Sequence, residues 1–263
     1  WTLTYSFTDG NGCSNSCTTN ITVNGLPTVT CPVNSSSCVN DVAFALTGGS
    51  PAGGTYSGPG VSGGTFDPAV AGVGTHTITY SYTDGNTCTS TCTFDITVNG
   101  LPTVTCPTDI TGICSNDAAF ALAGGSPAGG TYSGPGVSAG TFDPAMAGGG
   151  VHTITYSYID GNSCSSTCTF TITVTTATTW YQDQDSDGFG DPANSTLACT
   201  QPGGYVADNT DDCPNTFGRI GDTCNDGNPF TTGDVLQNDC SCAGTPVPCD
   251  NWTLSFTTDG AGS

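Results

Sequence analysis

Lysine and glutamate are missing altogether from the 263 residues, and Arg219 is the single basic side chain apart from two histidines. All 22 acidic groups are therefore aspartates, which favour turns and caps, so helices of ordinary make-up are excluded. A formal charge of -21 excludes nucleic acid and anionic membranes as partners and invites cations, although scattered aspartates also serve solubility. Without lysine, Lys–Asn isopeptide cross-links are chemically impossible. No C-x-x-C pair is present and histidine is nearly absent, which leaves disulfides rather than zinc as the reading of the 16 cysteines. No apolar run is long enough to cross a membrane, and the first residues are neither basic nor followed by a signal-peptide core. This reads as mature, secreted material, with membrane insertion excluded. Nor is there a G-x-S-x-G, an H-E-x-x-H or a phosphate loop. His76 and His152 occupy one repeated strand position, which Trp1 fills in the first copy, and the expectation is a non-enzyme.

What is present is repetition. LPTVTCP occurs at Leu26 and Leu101, GGSPAGGTYSGPGV at Gly48 and Gly124, and TFDPA at Thr65 and Thr141. The period is about 75 residues. Alternation marks strands with one buried face: Val42, Phe44 and Leu46; Ile78, Tyr80 and Tyr82; Cys92, Phe94, Ile96 and Val98. Asp84-Gly85-Asn86 and Asp160-Gly161-Asn162 supply the turns between the last two strands. With 38 glycines and 16 prolines punctuating short strands, the fold class is all-β. A repeat of this size buries a small core, and disulfides make up the difference. Four cysteines per repeat permit three connectivities, and spacing alone does not choose among them.

The TVTCP opening and the STCTFDITV closing strand, with GGTYSGPGV and FDPA between them, resemble the HYR and PKD-like immunoglobulin-type repeats of large secreted and surface proteins of Bacteroidetes-type bacteria. The resemblance covers about two thirds of the chain and implies tandem immunoglobulin-like β-sandwich modules. In HYR-type modules the cysteine of the TCP strand joins the one in the last strand. That implies Cys31–Cys92 and Cys106–Cys168, leaving Cys38–Cys88 and Cys114–Cys164. A cross-link closing a loop of some sixty residues stabilises by roughly 4 kcal/mol in the chain-entropy model. The NGLP junctions, Asn24 to Pro27 and Asn99 to Pro102, carry no flexible spacer, and the expected array is a stiff rod.

Five boundaries follow. Residues 1–25 align with the last two strands of a module, Trp1 with His76, Cys13 with Cys88 and Cys17 with Cys92, and form an incomplete module. Modules at 26–100 and 101–176 come next, then an Asp-rich repeat at 177–215, a Cys/Asp-rich unit at 216–245 and the start of a further β element at 246–263. Cys13 and Cys17 are expected to pair across chains, with a missing part of the module, or with each other.

In WYQDQDSDGFGD, Asp183, Asp185 and Asp187 alternate before Gly188, with Phe189 to offer a carbonyl and Asp191 two residues on. This is the first part of a D-x-D-x-D-G calcium loop. Position twelve is Asn194 rather than a bidentate glutamate, so Asp208, Asp211 and Asp212 are the expected suppliers of the remaining oxygens. The stretch, with Cys199, the segment Pro202 to Val206 and Asp212-Cys213, resembles thrombospondin type 3-like and MopE-like calcium-binding repeats. A second acidic unit carries Asp222, Asp226, Asn228, Asp234 and Asp239 and reads either as a second calcium site or as a disulfide-held turn. The preferred pairs here are Cys199–Cys213, Cys224–Cys240 and Cys242–Cys249.

The function expected from the sequence is an extracellular structural one. It is a subunit or segment of a surface filament or adhesin stalk, its partners copies of itself or further repeats, stiffened by disulfides and Ca2+. Strand addition to the half-module, where Ile21 and Val23 expose apolar faces, is its assembly route. The alternative is a carbohydrate-binding accessory array of a secreted enzyme, with Tyr56 and Tyr132 as the platforms for glycans.

Overall fold

A computed structural model describes residues 1–248, and it is almost entirely β. The proposed Cys242–Cys249 pair and the β element beyond residue 248 lie outside the described residues. Backbone contacts divide the chain into two units. One comprises Trp1–Cys106, Gly124–Thr131 and Tyr156–Cys168; the other comprises Pro107–Ala123, Tyr132–Thr155 and the described residues from Thr169 onward.

In the first unit, the repeat at 26–100 forms two sheets. Four strands run in the order Ser35–Cys38, Thr89–Asn99, Gly74–Thr83, Thr55–Ser57, and three in the order Phe44–Ala45, Thr65–Phe66, Val61–Ser62. Their apolar faces meet in a core of Phe66, Ile78, Phe94, Ile96 and Val98, with Phe44, Leu46, Tyr56 and Val61 packed against it. The period-two pattern explains this, because Ile78, Phe94, Ile96 and Val98 fall on one face while Thr77 and Asp95 face outward and hydrogen-bond at 2.8 Å. Val42 departs from the expectation. It lies before its strand begins, at Phe44, and is 85% exposed.

Tyr80 closes the core at one end. Gly54 N–H donates to its hydroxyl at 3.0 Å, and the hydroxyl donates to the Pro51 carbonyl. The ring lies so close to the GGSPAGG backbone that a Cβ at Gly54 would sit 2.4 Å from it. That is why the segment is glycine-rich. Beside it, Tyr56 accepts from Gly49 N–H at 2.8 Å and packs tilted against Tyr80 at 4.9 Å and edge-on to Phe94 at 6.2 Å. Tyr132 meets Phe170 at 6.2 Å in the same way. These tyrosines are half-buried core residues, which corrects their reading as exposed sugar platforms. The histidines are structural too. His76 bonds the Gly72 carbonyl at 2.8 Å and lies against Phe66, and His152 bonds Gly148 at 2.9 Å against Phe142.

One pairing sets the cysteine pattern. Ser35–Cys38 runs parallel to Thr89–Asn99, with Cys38 opposite Asn99, and Ile110–Cys114 runs parallel to Ser165–Thr175, with Cys114 opposite Thr175. Each of these cysteines therefore stands at the far end of the strand from the hairpin cysteine, Cys88 or Cys164. At about 3.3 Å per residue the strand separates them by roughly 35 Å, whereas a disulfide spans less than about 7 Å between Cα atoms. The expected Cys38–Cys88 and Cys114–Cys164 bonds are thus ruled out. Cys38 joins Cys164 instead, and Cys114 joins Cys199. Cys31–Cys92 and Cys106–Cys168 close within their own repeats.

The second unit carries the Asp-rich segments. Thr178–Gln182 pairs with Asp191–Ala198 and Tyr205–Val206, and Thr231–Leu236 forms a hairpin with Cys242–Pro246. Cys199 follows directly on Asp191–Ala198, whose Leu197 carbonyl accepts from the Asn116 side chain at 2.8 Å, so it meets Cys114 rather than Cys213. A bridge between Thr223 and Val235 brings Cys224 to the hairpin, where it takes Cys242, and Cys240 in the turn takes Cys213. The expected Cys199–Cys213 and Cys224–Cys240 pairs are replaced accordingly. Among the described residues Cys13, Cys17 and Cys88 are free.

Replacing Ile78 by alanine is expected to cost about 2–4 kcal/mol in non-reducing urea denaturation, because the side chain has no exposed surface. Gly54→Ala, which forces Tyr80 to move, should cost about 1–3 kcal/mol, and Val42→Ala should stay within about 0.5 kcal/mol.

Candidate metal centre

Between the first two strands of the Asp-rich unit, the chain turns back on itself through Ser186 and Gly188, both at positive φ, 67° and 93°. Glycine at 188 removes the Cβ penalty where the loop reverses. The turn is held by its own carboxylates. Asp183 accepts from the N–H groups of Asp187 at 3.2 Å and Gly188 at 3.1 Å, and Asp187 accepts from Phe189 N–H at 2.9 Å. One oxygen from each of Asp183, Asp185 and Asp187 lies within 4.8 Å of the others, a grouping that could hold a metal ion.

A fourth carboxylate arrives from farther along. Asp211 N–H donates to the Gly190 carbonyl at 3.1 Å, and Gly190 is packed so tightly that a Cβ there would meet the Asp208 carbonyl at 2.4 Å. Asp211 is only 1% exposed; one of its oxygens accepts from Cys213 N–H at 2.8 Å, and the other is buried with no hydrogen-bond partner. Both oxygens of Asp185 are likewise buried and unpartnered. Burial pushes both carboxyls up from their ordinary value, and neighbouring charges add to it, Asp187 and Asp183 on Asp185, and Asp187, Asp185 and Asp212 on Asp211.

Buried, unpartnered carboxylate oxygens are costly, and like charges crowded together compound the cost. A hard cation that takes oxygen ligands removes both penalties at once. The converging trio Asp183, Asp185 and Asp187 therefore fits such an ion, and the buried, unpartnered oxygen of Asp211, coupled by charge to Asp185 and Asp187, is the further donor that would complete its hold. Gly218 N–H, donating to Asp187 at 2.7 Å, ties the following Cys-rich unit to the same loop.

The other predicted ligands are engaged elsewhere. Asp191 accepts from Ala193 N–H at 2.7 Å, Asp208 from Thr210 N–H at 2.7 Å, and Asp212 from Ile220 N–H at 2.9 Å. Hydrogen bonds from Thr210 hold the Asp208 carboxyl below its ordinary value. The Phe189 ring lies under Arg219, 4.4 Å from the guanidinium carbon, an arrangement that leaves the carbonyl expected as a ligand on the loop beside Asp187. Charge-assisted turn bonds satisfy these carboxylates without a metal.

The second acidic unit behaves similarly. Asp226 accepts from Asn228 N–H at 2.8 Å and from the Thr231 hydroxyl, Asn228 from Phe230 N–H at 3.0 Å, Asp239 from Ser241 N–H at 3.0 Å, and Asp222 from Arg219 N–H at 2.8 Å. These bonds lower the Asp226 and Asp239 carboxyls. Asp234 alone keeps a buried, unpartnered oxygen. Among the described residues no second group of three such side chains converges as the first does. The unit is a set of Asx turns pinned by Cys213–Cys240 and Cys224–Cys242.

The chain matches no protein-family model and no curated protein. It aligns with solved structures, among them a Ca2+-stabilized adhesin that helps an Antarctic bacterium reach out and bind ice, at 16% identity and a TM-score of 0.33. That alignment covers 71% of this chain and 60% of the other, so the chain spans three fifths of that protein's length.

Asp211→Asn keeps the bond from Cys213 N–H but removes a ligand charge, and isothermal titration with Ca2+ should show affinity falling by at least about tenfold. Asp239→Asn should leave it unchanged. The pH dependence has a defined sign. Carboxyls raised in the folded state contribute stability that is complete below the unfolded pKa and lost as pH rises through the folded one. In chelator, wild type should therefore lose melting temperature relative to Asp211→Asn as pH rises from about 4 to 7. Saturating Ca2+ should reverse that order at neutral pH. Referencing to the variant cancels the opposite slope of Asp208, Asp226 and Asp239, whose lowered carboxyls favour folding at higher pH.

Proposed function

We propose that this chain is an extracellular structural protein, a segment of a surface filament or adhesin stalk built from repeats of the HYR and PKD-like immunoglobulin type and a thrombospondin type 3-like or MopE-like calcium-binding unit. The observation that carries the reading is the disulfide series. Cys38 of one repeat is bonded to Cys164 of the next, and Cys114 of that repeat to Cys199 of the Asp-rich unit. Bonds that run from one sequence repeat to the segment after it serve an assembly that must stay connected, whereas a single folded binding module needs cross-links only within itself. The six disulfides among the described residues also require an oxidising compartment outside the cytoplasm.

Calcium belongs to the same reading. A chain of charge -21 without lysine has few internal countercharges, and a divalent ion at Asp183, Asp185 and Asp187, with Asp211 as a further donor, supplies two positive charges where carboxylates converge. The reading assigns no reaction to the protein. Among the described residues Asp84 and Asp160 are held in turns, Asp95 and Asp109 bond neighbouring strands, and the histidines make core contacts.

Gold-labelled antibodies raised against residues 26–176 should decorate thin fibres on intact, unpermeabilised cells of the source organism in electron micrographs. Label confined to the cell interior, or spread over the surface with no fibre, would overturn the proposal.

A further inference from the structure

The free thiol of Cys88 occupies the position that Cys164 fills one repeat later. Both follow a D-G-N-x-C turn. Asp84 accepts from Asn86 and Cys88 N–H at 2.9 Å each, and Asp160 accepts from Asn162 and Cys164 N–H at the same distances. Thr87 and Ser163 share a positive φ, 64° and 67°. The turn thus has one conformation whether its cysteine is bonded or free. On the donating side, Cys38 and Cys114 each begin a C-x-N-D turn in which Asp41 or Asp117 accepts the cysteine N–H at 2.7 Å. Cys38 is bonded to the D-G-N-x-C cysteine of the following repeat. Cys88 is the same acceptor with no donor among the described residues.

The hairpin Thr2–Thr8 with Ser14–Asn20 tells the same story in apolar surface. Leu3, Tyr5, Ile21 and Val23 align with Ile78, Tyr80, Ile96 and Val98, which are core residues, yet Tyr5 is 66% exposed where Tyr80 is 2% exposed. Tyr5 and Phe7, with Asn15, Ser16 and Cys17, line a groove of about 340 Å3. Cys17 is free at the position where Cys92 and Cys168 bond a TCP cysteine.

We infer that Cys88 and Cys17 are paired covalent docking sites for a single occupant, the first half of a further repeat of this type, whose C-x-N-D cysteine bonds Cys88 and whose TCP cysteine bonds Cys17 while its strands cover the face of Leu3, Tyr5, Ile21 and Val23. The register of the two complete repeats fixes the occupant, because each TCP cysteine stays in its own repeat and each C-x-N-D cysteine moves forward by one. Each bond joins two thiols and releases two protons and two electrons, which reduce one oxidised glutathione, or another disulfide oxidant, to two thiols. The inference rests on the proposed function only for the existence of further repeats, and its test is made in solution, so either can fail alone.

The probe is a synthetic polypeptide copying residues 26–73, which contains Cys31 and Cys38 and no other cysteine. It is incubated in a glutathione redox buffer with the full chain, its disulfides intact, and linkages are mapped by mass spectrometry without reduction. The expected product joins the probe's Cys38 to Cys88 and its Cys31 to Cys17, favoured about tenfold or more over links to Cys13 because docking raises the effective concentration of the correct pair. Cys88→Ser should abolish the first link and keep the second. Full chain alkylated at Cys88, with unchanged melting, should behave as that variant does. Equal spread over Cys13, Cys17 and Cys88, glutathione alone on Cys88, a Cys88 pair between two copies, or closure of Cys13 on Cys17 would each overturn the inference.

Discussion

The parallel pairing of Ser35–Cys38 with the last residues of Thr89–Asn99 determines how the repeats are joined. An antiparallel neighbour would return Cys38 toward the hairpin turn. The parallel one carries it away, to Asn99, beyond the reach of Cys88. The same register in the next repeat places Cys114 beside Thr175, where the chain leaves for the Asp-rich unit. The second cysteine of each repeat is therefore delivered to the place where the following segment starts, and its bond runs forward.

The strands themselves were legible because alternation reports which residues share a face. Ile78, Phe94, Ile96 and Val98 are core residues for that reason. Alternation does not report which strand lies beside which, nor in which direction, and the cysteine partners depend on both. Hence the bonds closing a single repeat, Cys31–Cys92 and Cys106–Cys168, agree with what the family resemblance implies, while Cys38 and Cys114 have other partners. Val42 was misplaced for a smaller reason: the pattern extends a step past the end of the strand.

Aspartate is the only acid in this chain, and it serves two purposes that sequence distinguishes only in part. In a D-G-N or N-D turn the short side chain folds back on its own backbone and is satisfied there. Asp183, Asp185 and Asp187 announce a different use by their spacing, since alternate carboxylates on a reversing loop turn toward one point. Asp211 gives no such signal. It reaches the loop through a backbone bond to Gly190, and only the three-dimensional packing separates it from Asp208 and Asp212, which stand close to it in sequence and end in turns.

The disulfides also define a short covalent route through the molecule. A pull entering at Cys38 passes to Cys164, runs four residues to Cys168, crosses to Cys106, runs eight residues to Cys114 and leaves at Cys199. Only about 12 residues of backbone bear the load between points 161 residues apart in sequence. Fully drawn out at about 3.4 Å per residue, and with Cα–Cα spans of 5.5, 5.8 and 5.8 Å across the three disulfides, the span lengthens to roughly 58 Å rather than about 550 Å. Even with every hydrogen bond broken, residues 39–105, 115–163 and 169–198 would hang from this route as slack loops that carry none of the pull.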